Sequence, residues 1–322
     1  MRRFWRGIHS FHYMRHKKWW FLISAVVIGV GLISLFVRGG GNPVDGLKYG
    51  LEFRSGTRIT VEFEEQPSIA AVRSVVTAEG VDDAVIQKTT STETGRNAYQ
   101  IQTDPLTAAR EARVRDALDE SFTIAQGAGG PAYASQTVGP TFGSDVISAS
   151  WQAALIAFIL ILIYVTIRFE WKFAIGAISA LGHDLIVVIV VYSLVGREIT
   201  TATIAAVLTV LGYSLYDTVI IFDRIRENSP RMRGMPYGDM VDRSIWETLN
   251  RSINTTITTL LPIVCLLTFG GATLQDFAFA LLVGILSGAY SSLFVAAPIV
   301  TLLKEREPQY QKAAAKSREA RA

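Results

Sequence analysis

Six stretches of this chain of 322 residues, 19–37, 147–167, 173–195, 199–222, 253–269 and 277–303, are almost continuously apolar for seventeen to twenty-seven residues each. At 1.5 Å of rise per residue, each spans most or all of a hydrocarbon layer of about 30 Å as a helix. Backbone polar groups in lipid must be satisfied within the segment, so helices are the structure such runs adopt. The expected chain is therefore a mainly α membrane protein with six transmembrane helices. Half of its residues are hydrophobic, and the polar remainder is concentrated in one long insert, 38–145, between the first and second helices.

Residues 1–18 carry Arg2, Arg3, Arg6, Arg15, Lys17 and Lys18, and lead into Trp19-Trp20-Phe21, an aromatic anchor at one interface. The alternative, a cleaved signal peptide, fits less well. The apolar run exceeds a normal signal core, and no small-x-small cleavage site precedes Arg38. Lys and Arg cluster on the side of the N-terminus: in 1–18, at Arg168 and Lys172, in the loop 223–252, and in the basic tail 304–322. On the opposite side the short loops carry only Arg38 and Arg197. The expectation is that both termini are cytoplasmic and the insert is exported across the cytoplasmic membrane.

Within the insert, Leu47–Phe53 and Arg58–Phe63 alternate like strands, and Pro67-Ser68 opens an amphipathic helix through Glu79. Ala84–Thr90 and Ala98–Thr103 read as a hairpin turned at Thr94-Gly95-Arg96-Asn97. Thr107–Ser121 is a charged helix and Ser135–Val138 a last strand, with Gly127-Ala128-Gly129-Gly130-Pro131 interrupting between them. The order β-α-β-β-α-β predicts a ferredoxin-like α+β domain. Cys265 is the sole cysteine, so no intrachain disulfide forms.

Polar groups inside lipid cost energy, which makes them the shortlist for function. Asp217 lies six residues before the charged cluster at Asp223, roughly 9 Å inside that helix end. A carboxylate there costs about 2.5–3.5 kcal/mol on insertion scales, and so calls for a partner, a wet cavity or a proton. Tyr213, Ile220, Ile221 and Arg224 share its face. Burial disfavours the charged form while a cation favours it, and a site where both act can exchange protons. The other reading is a static ion pair with Arg224. Asp184, after His183, continues the small-residue stripe of Gly176 and Ala180, so it points into the bundle, either as helix glue or as a working acid. In the fifth segment Arg251, Asn254, Thr255, Thr258 and Pro262 share one face, too polar for lipid and expected to line the bundle interior or a wet cavity. Arg251 is either the partner of a carboxylate on the fourth segment or an ordinary boundary arginine. Ala280, Gly284, Gly288 and Ser292 form a small-residue stripe expected to serve packing alone.

The chain has no Walker-type loop, no metal-spaced His/Cys cluster and no nucleophile elbow. His9, His12 and His16 share helical spacing, but amid six cations they read as an interfacial face suited to anionic lipid. No cofactor, metal, nucleic acid or enzymatic activity is expected. Any energy used must come from an ion gradient.

Arg168-Phe169-Glu170-Trp171-Lys172-Phe173-Ala174, Ala180-Leu181-Gly182-His183-Asp184, Gly212-Tyr213-Ser214 through Arg224-Ile225-Arg226-Glu227-Asn228, Thr137-Val138-Gly139-Pro140 and Leu249-Asn250-Arg251-Ser252 resemble the SecF family of bacterial Sec translocase subunits. The resemblance runs in order from about Phe11 to Leu303. It implies membership of the resistance-nodulation-division superfamily, with a SecD partner supplying a second six-helix half. The two halves would use the proton-motive force to assist late stages of preprotein export through SecYEG, after the SecA stage. It also implies a proton relay of Asp217, Arg251 and Asp184, supported by Tyr213, Tyr216, Thr218, Arg224, Asn254, Thr255 and Thr258. Tyr216 stands where the family pattern has Asn. Glu52 and Ser55 stand where its Gly-x-Asp-Phe-x-Gly-Gly-Thr motif has Asp and Gly. The rival functions are a small-molecule or lipid exporter of the same superfamily and a non-transporting assembly factor.

Overall fold

The protein is described by a computed structural model covering residues 12–90, 97–127, 130–232 and 234–312. His9, the hairpin turn 91–96, Ala128-Gly129 and the tail beyond residue 312 lie outside the described residues. The chain divides into a helical unit, formed by residues up to Lys48 and from Ala153 onward, and a unit from Tyr49 to Gln152. In chain order the elements are α1 (Lys17–Arg38), β1 (Gly56–Glu62), α2 (Ile69–Ala78), β2 (Val85–Thr90), β3 (Asn97–Thr103), α3 (Ala108–Phe122), β4 (Tyr133–Val138), α4 (Pro140–Arg168), α5 (Trp171–Val195), α6 (Thr201–Arg231), α7 (Tyr237–Phe269), α8 (Ala272–Ser291) and α9 (Ala297–Lys304).

The four strands form one antiparallel sheet in the order β2-β3-β1-β4, with Ile59 opposite Ile101 and Val61 opposite Tyr99. This is the ferredoxin-like arrangement that the β-α-β-β-α-β order predicts. Strand alternation buries Ile59, Val61, Ile86, Tyr99 and Ile101 in one core with Val72 and Val76 of α2 and Val114 and Leu118 of α3. Both helices start at side-chain caps: Ser68 Oγ accepts from the Ala71 amide and Thr107 Oγ1 from the Arg110 amide. The expected strand over Leu47–Phe53 breaks at Gly50. Lys48–Tyr49 is extended, but Leu51–Arg54 forms one helical turn. The chain then turns into β1 through Ser55, at φ 60° and ψ 164°, and Gly56, at φ 133°. The backbone region of Ser55 is essentially reserved for glycine. The family's glycine here thus answers a backbone demand that serine meets under strain.

Among the described residues, six helical stretches are long and apolar enough to cross a membrane: Met14–Arg38, Thr141–Arg168, Trp171–Val195, Thr201–Arg231, Tyr237–Phe269 and Leu274–Lys304. Close approach of α6 and α8 depends on glycine. A Cβ at Gly284 would sit 2.4 Å from Val210 Cγ2, and one at Gly288 would sit 2.9 Å from Ser214 Cβ. Two boundaries differ from the sequence expectation. The segment 223–252 is mostly helix, because α6 runs on to Arg231 and α7 begins at Tyr237. These extensions keep an apolar inner side, Ile225 on α6 and Met240, Val241 and Ile245 on α7, so helix packing continues past the apolar run. The last segment is broken by a π turn at Ser292–Ala296, next to Pro298, which lacks an amide hydrogen.

The segment after α9 is held to the helical unit by ion pairs. Lys17 pairs with Glu305 at 2.8 Å and Lys172 with Glu307 at 2.6 Å, while Lys304 bridges Glu170 and Glu307. Burial opposes ionisation of Glu307, but hydrogen bonds from Lys172, Gln309 and Lys304 outweigh it and hold the carboxyl below the usual glutamate range. A depressed folded-state value gives a contribution that is present above the unfolded value of about 4.3 and lost as pH falls through the folded one. Hydrogen-exchange protection across residues 305–312, taken relative to the intrinsic rate at each pH, is therefore expected to fall only once the pH drops below about 4. Ser55→Gly is expected to raise the stability of the sheet unit by about 1 kcal/mol or more, read as a higher melting temperature of the full chain.

Candidate functional site

Asp184 lies near the middle of α5, about 20 Å from its start, and is fully buried (0 % exposed). Its Oδ1 accepts from Ser287 Oγ at 2.6 Å, and its Oδ2 accepts from Ser214 Oγ at 2.6 Å and Ser291 Oγ at 2.9 Å. Ser287 and Ser291 project from α8 and Ser214 from α6, so one carboxyl group gathers three helices. Sequence reading assigned α8 to packing alone. Its glycine stripe does pack, but the neighbouring face carries two of the three hydroxyls. Their i, i+4 spacing and the equal spacing of Gly284 and Gly288 were the available signal.

Asp217 is 4 % exposed on α6. Ser252 Oγ of α7 donates to its Oδ1 at 2.6 Å, while its Oδ2 is buried and accepts no hydrogen bond. Ser252 was also missed; it follows Arg251 and turns inward where Arg251 turns outward. Thr218, next to Asp217, bonds Ser292 at 2.8 Å and the Ser214 carbonyl at 3.0 Å, so a hydroxyl ladder connects the surroundings of the two acids.

The expected Asp217–Arg251 ion pair is not formed. Arg251 donates from Nη2 to the Tyr216 hydroxyl at 2.8 Å and lies 5.9 Å from the Tyr216 ring centroid. Tyr216, half exposed, thus holds the guanidinium beside the acid. Nor is Asp217 paired with Arg224. That guanidinium donates to Glu247 at 2.7 Å and Glu227 at 2.6 Å, which removes the static ion pair. Ile220, Asp223, Arg224, Glu227, Glu247, Thr248 and Arg251 line an open polar groove of about 420 Å³, which brings Arg251 to a solvent-accessible edge. Tyr213 packs in the apolar cluster of Val210, Ile263 and Leu281. The polar face of α7 does not point inward within this chain: Arg251, Asn254, Thr258 and Pro262 are exposed, and Thr255 is half-buried. Thr255 and Thr258 donate to carbonyls one turn back, at 3.0 Å to Arg251 and 2.8 Å to Asn254. Back-bonding satisfies their hydroxyls without a partner. Among the described residues no cluster of three His, Cys, Asp or Glu is placed to hold a metal.

Residues 124–306 match the family described as protein export membrane protein SecD/SecF, C-terminal, and residues 43–67 match the SecD/SecF GG motif. The chain belongs to the SecD/SecF family. The protein translocase subunit SecF of Streptomyces coelicolor is 34 % identical over 95 % of this chain and 80 % of its own length. That of Vibrio alginolyticus is 36 % identical over 90 % of this chain and 89 % of its own. The crystal structure of SecDF from Thermus thermophilus, described as a translocon-associated membrane protein, superposes with a TM-score of 0.78 at 33 % identity, covering 92 % of this chain and 39 % of the longer SecDF chain. Against the SecD/SecF pattern, Tyr216 now has a physical account: its phenol reaches Arg251 and its ring offers a face to the cation. A double-mutant cycle of Tyr216→Phe with Arg251→Gln, read on thermal unfolding, is expected to give a coupling of about 1 kcal/mol. Additive effects would contradict the contact.

Proposed function

We propose that this chain is the SecF-type half of a protein-export motor. In it, Asp217 alternates between a protonated state and an ionised state paired with Arg251 as protons cross the membrane. One observation carries this reading: a buried aspartate has one oxygen unpartnered, while a guanidinium one residue from its serine donor is held by Tyr216 instead. Such a carboxyl group is short of one proton or one cation. An arginine held by a neutral phenol exchanges partners at little cost. Ionising Asp217 draws Arg251 inward and shifts α7 along α6; protonating it returns the arginine to Tyr216. The two packings are the bistable element that the inserted domain reads, and through it an emerging polypeptide is held or released.

The exposed polar face of α7 supports a partner half. Asn254, exposed within the apolar run of α7, would face lipid at a cost if this chain stood alone. A SecD-like six-helix subunit fits that face, in line with SecDF relatives in which this region forms part of a longer chain. The complex would act beside SecYEG and SecA on preproteins in the cytoplasmic membrane, with both termini cytoplasmic and the sheet unit exported. The proton gradient, not a bound cofactor, would supply its energy.

The test is preprotein export into inverted membrane vesicles containing SecYEG, SecA and the partner half. Asp217→Asn is expected to leave the ATP-driven rate in place and abolish its stimulation by a proton gradient. Arg251→Gln should do the same, and Arg251→Lys should retain part of the stimulation. Full gradient stimulation with Asp217→Asn would overturn the proposal.

A further inference from the structure

At the rim where α4 ends and α5 begins, most cations are spent on carboxylates. Arg224 pairs with Glu227 and Glu247, Lys172 with Glu307, and Lys304 with Glu170 and Glu307. Arg168, the last residue of α4, and Arg226, on α6, differ. They share a single carboxylate: Arg168 Nη2 lies 3.4 Å from Asp223 Oδ1, and Arg226 Nη2 lies 3.9 Å from the same oxygen. Arg226 Nη1 donates to the Arg168 carbonyl at 3.2 Å, covering the end of α4. A guanidinium carries five N–H donors, so most of those on this pair have no protein acceptor among the described residues. Both side chains are half exposed, and the cluster keeps one positive charge in excess.

The pair is held in place by the core. Phe169 is buried, with its ring edge-on to Phe222 at 6.1 Å and tilted against Phe173 at 6.0 Å. The guanidinium carbons of Arg168 and Arg226 lie 5.5 and 5.8 Å from the centroid of that ring. Phe169 and Asp223 thus keep two cations side by side. Their mutual repulsion is only partly offset by one carboxylate, and a further anion would relieve it.

Next to the pair along α4 is apolar surface that nothing in this chain covers. Helix α4 joins the helical core through Val165 and Phe169, with Ile161 packed against it. From Ala153 to Tyr164 no residue is buried, and the sequence Ala-Ala-Leu-Ile-Ala-Phe-Ile-Leu-Ile-Leu-Ile-Tyr is apolar on every side of the helix. A helix of that length rises about 18 Å, against about 15 Å for one leaflet of a 30 Å hydrocarbon layer. Ile167 and Trp171, 82 % and 60 % exposed, flank Arg168 as an interfacial anchor. Apart from the Tyr164 hydroxyl, the stretch has no polar side chain for a protein partner to satisfy, unlike α7 with Asn254.

We propose that Arg168 and Arg226 form a headgroup site for one anionic phospholipid, whose acyl chains lie along α4 toward Ala153. Its phosphate takes the unused guanidinium donors, a geometry in which two N–H groups meet two oxygens. A free phosphate would find the same donors but would leave the apolar stretch and the Trp171 anchor without a role, so the occupant is a lipid. Bound there, the lipid ties the end of α4 to α6 through a shared ligand. The site rests on the six spans and uses neither Asp217 nor Asp184.

The test is native mass spectrometry of the full chain in a neutral detergent, titrated with phosphatidylglycerol, phosphatidylcholine or inorganic phosphate. One phosphatidylglycerol per chain is expected to be retained well above the level of phosphatidylcholine, and inorganic phosphate should not displace it. Arg168→Gln and Arg226→Gln are each expected to weaken that retention about fivefold. Both residues are half exposed, and glutamine at 226 can still donate to the Arg168 carbonyl, so both variants should fold; circular dichroism checks this. Lys18→Gln, an exposed cation beside Trp19 on α1, is the control for general attraction and should bind as the wild type does. Equal retention of the two lipids, wild-type retention in the Arg168→Gln and Arg226→Gln double variant, an equal loss with Lys18→Gln, or displacement by inorganic phosphate would overturn the proposal.

Discussion

Inside hydrocarbon no water is available to complete a polar group, so the Asp184 carboxyl group must be satisfied by protein. Three serines from two other helices do this at 2.6–2.9 Å. That requirement orders much of the helical unit. Gly284 and Gly288 let α8 approach α6 closely enough for Ser287, Ser291 and Ser214 to converge, and Gly176 admits Val300 and the Ala296 carbonyl to α5. The cluster α5–α6–α8 is accordingly the most buried part of the unit.

Helix α7 is held differently. Its N-terminal half packs through Tyr237, Met240, Val241 and Ile245, whereas its membrane half hydrogen-bonds Asp217 through Ser252. Beyond Ser252 its polar face is turned away from this chain. The contrast is one of packing: a core pinned by an acid whose two oxygens are both bonded, and a neighbouring helix tied to an acid with one bonded oxygen.

The charged ends of the helices show the same division. Arg224, Glu227, Glu247 and Asn228 form a connected network at the joint of α6 and α7, while Lys17, Lys172, Lys304, Glu170, Glu305 and Glu307 tie the last segment to α1 and α5. Exposed pairs of this kind each contribute little. The extensions of α6 and α7 past their apolar runs rest instead on their apolar inner side, Ile225, Met240, Val241 and Ile245.

Amino-acid order alone determined the six spans, the inserted β-α-β-β-α-β domain and the two buried aspartates. Each follows from local periodicity or from the cost of a charge in lipid, and neither depends on what lies across the bundle. Tertiary structure alone decided the partners. Arg224 shares a helix with Asp217, whereas Arg251 and the serines that hold the acids lie on other helices, and rotation about each helix axis selects among them. It sends Ser252 inward, gives Arg251 to Tyr216 and Arg224 to Glu247, and turns Asn254 and Thr258 outward. It also aligns His183, Ser24 and Tyr290, residues 159 and 266 positions apart along the chain, into one hydrogen-bonded row. Contacts at such separations leave no periodic trace in the sequence, because each depends on how two distant helices are turned toward one another.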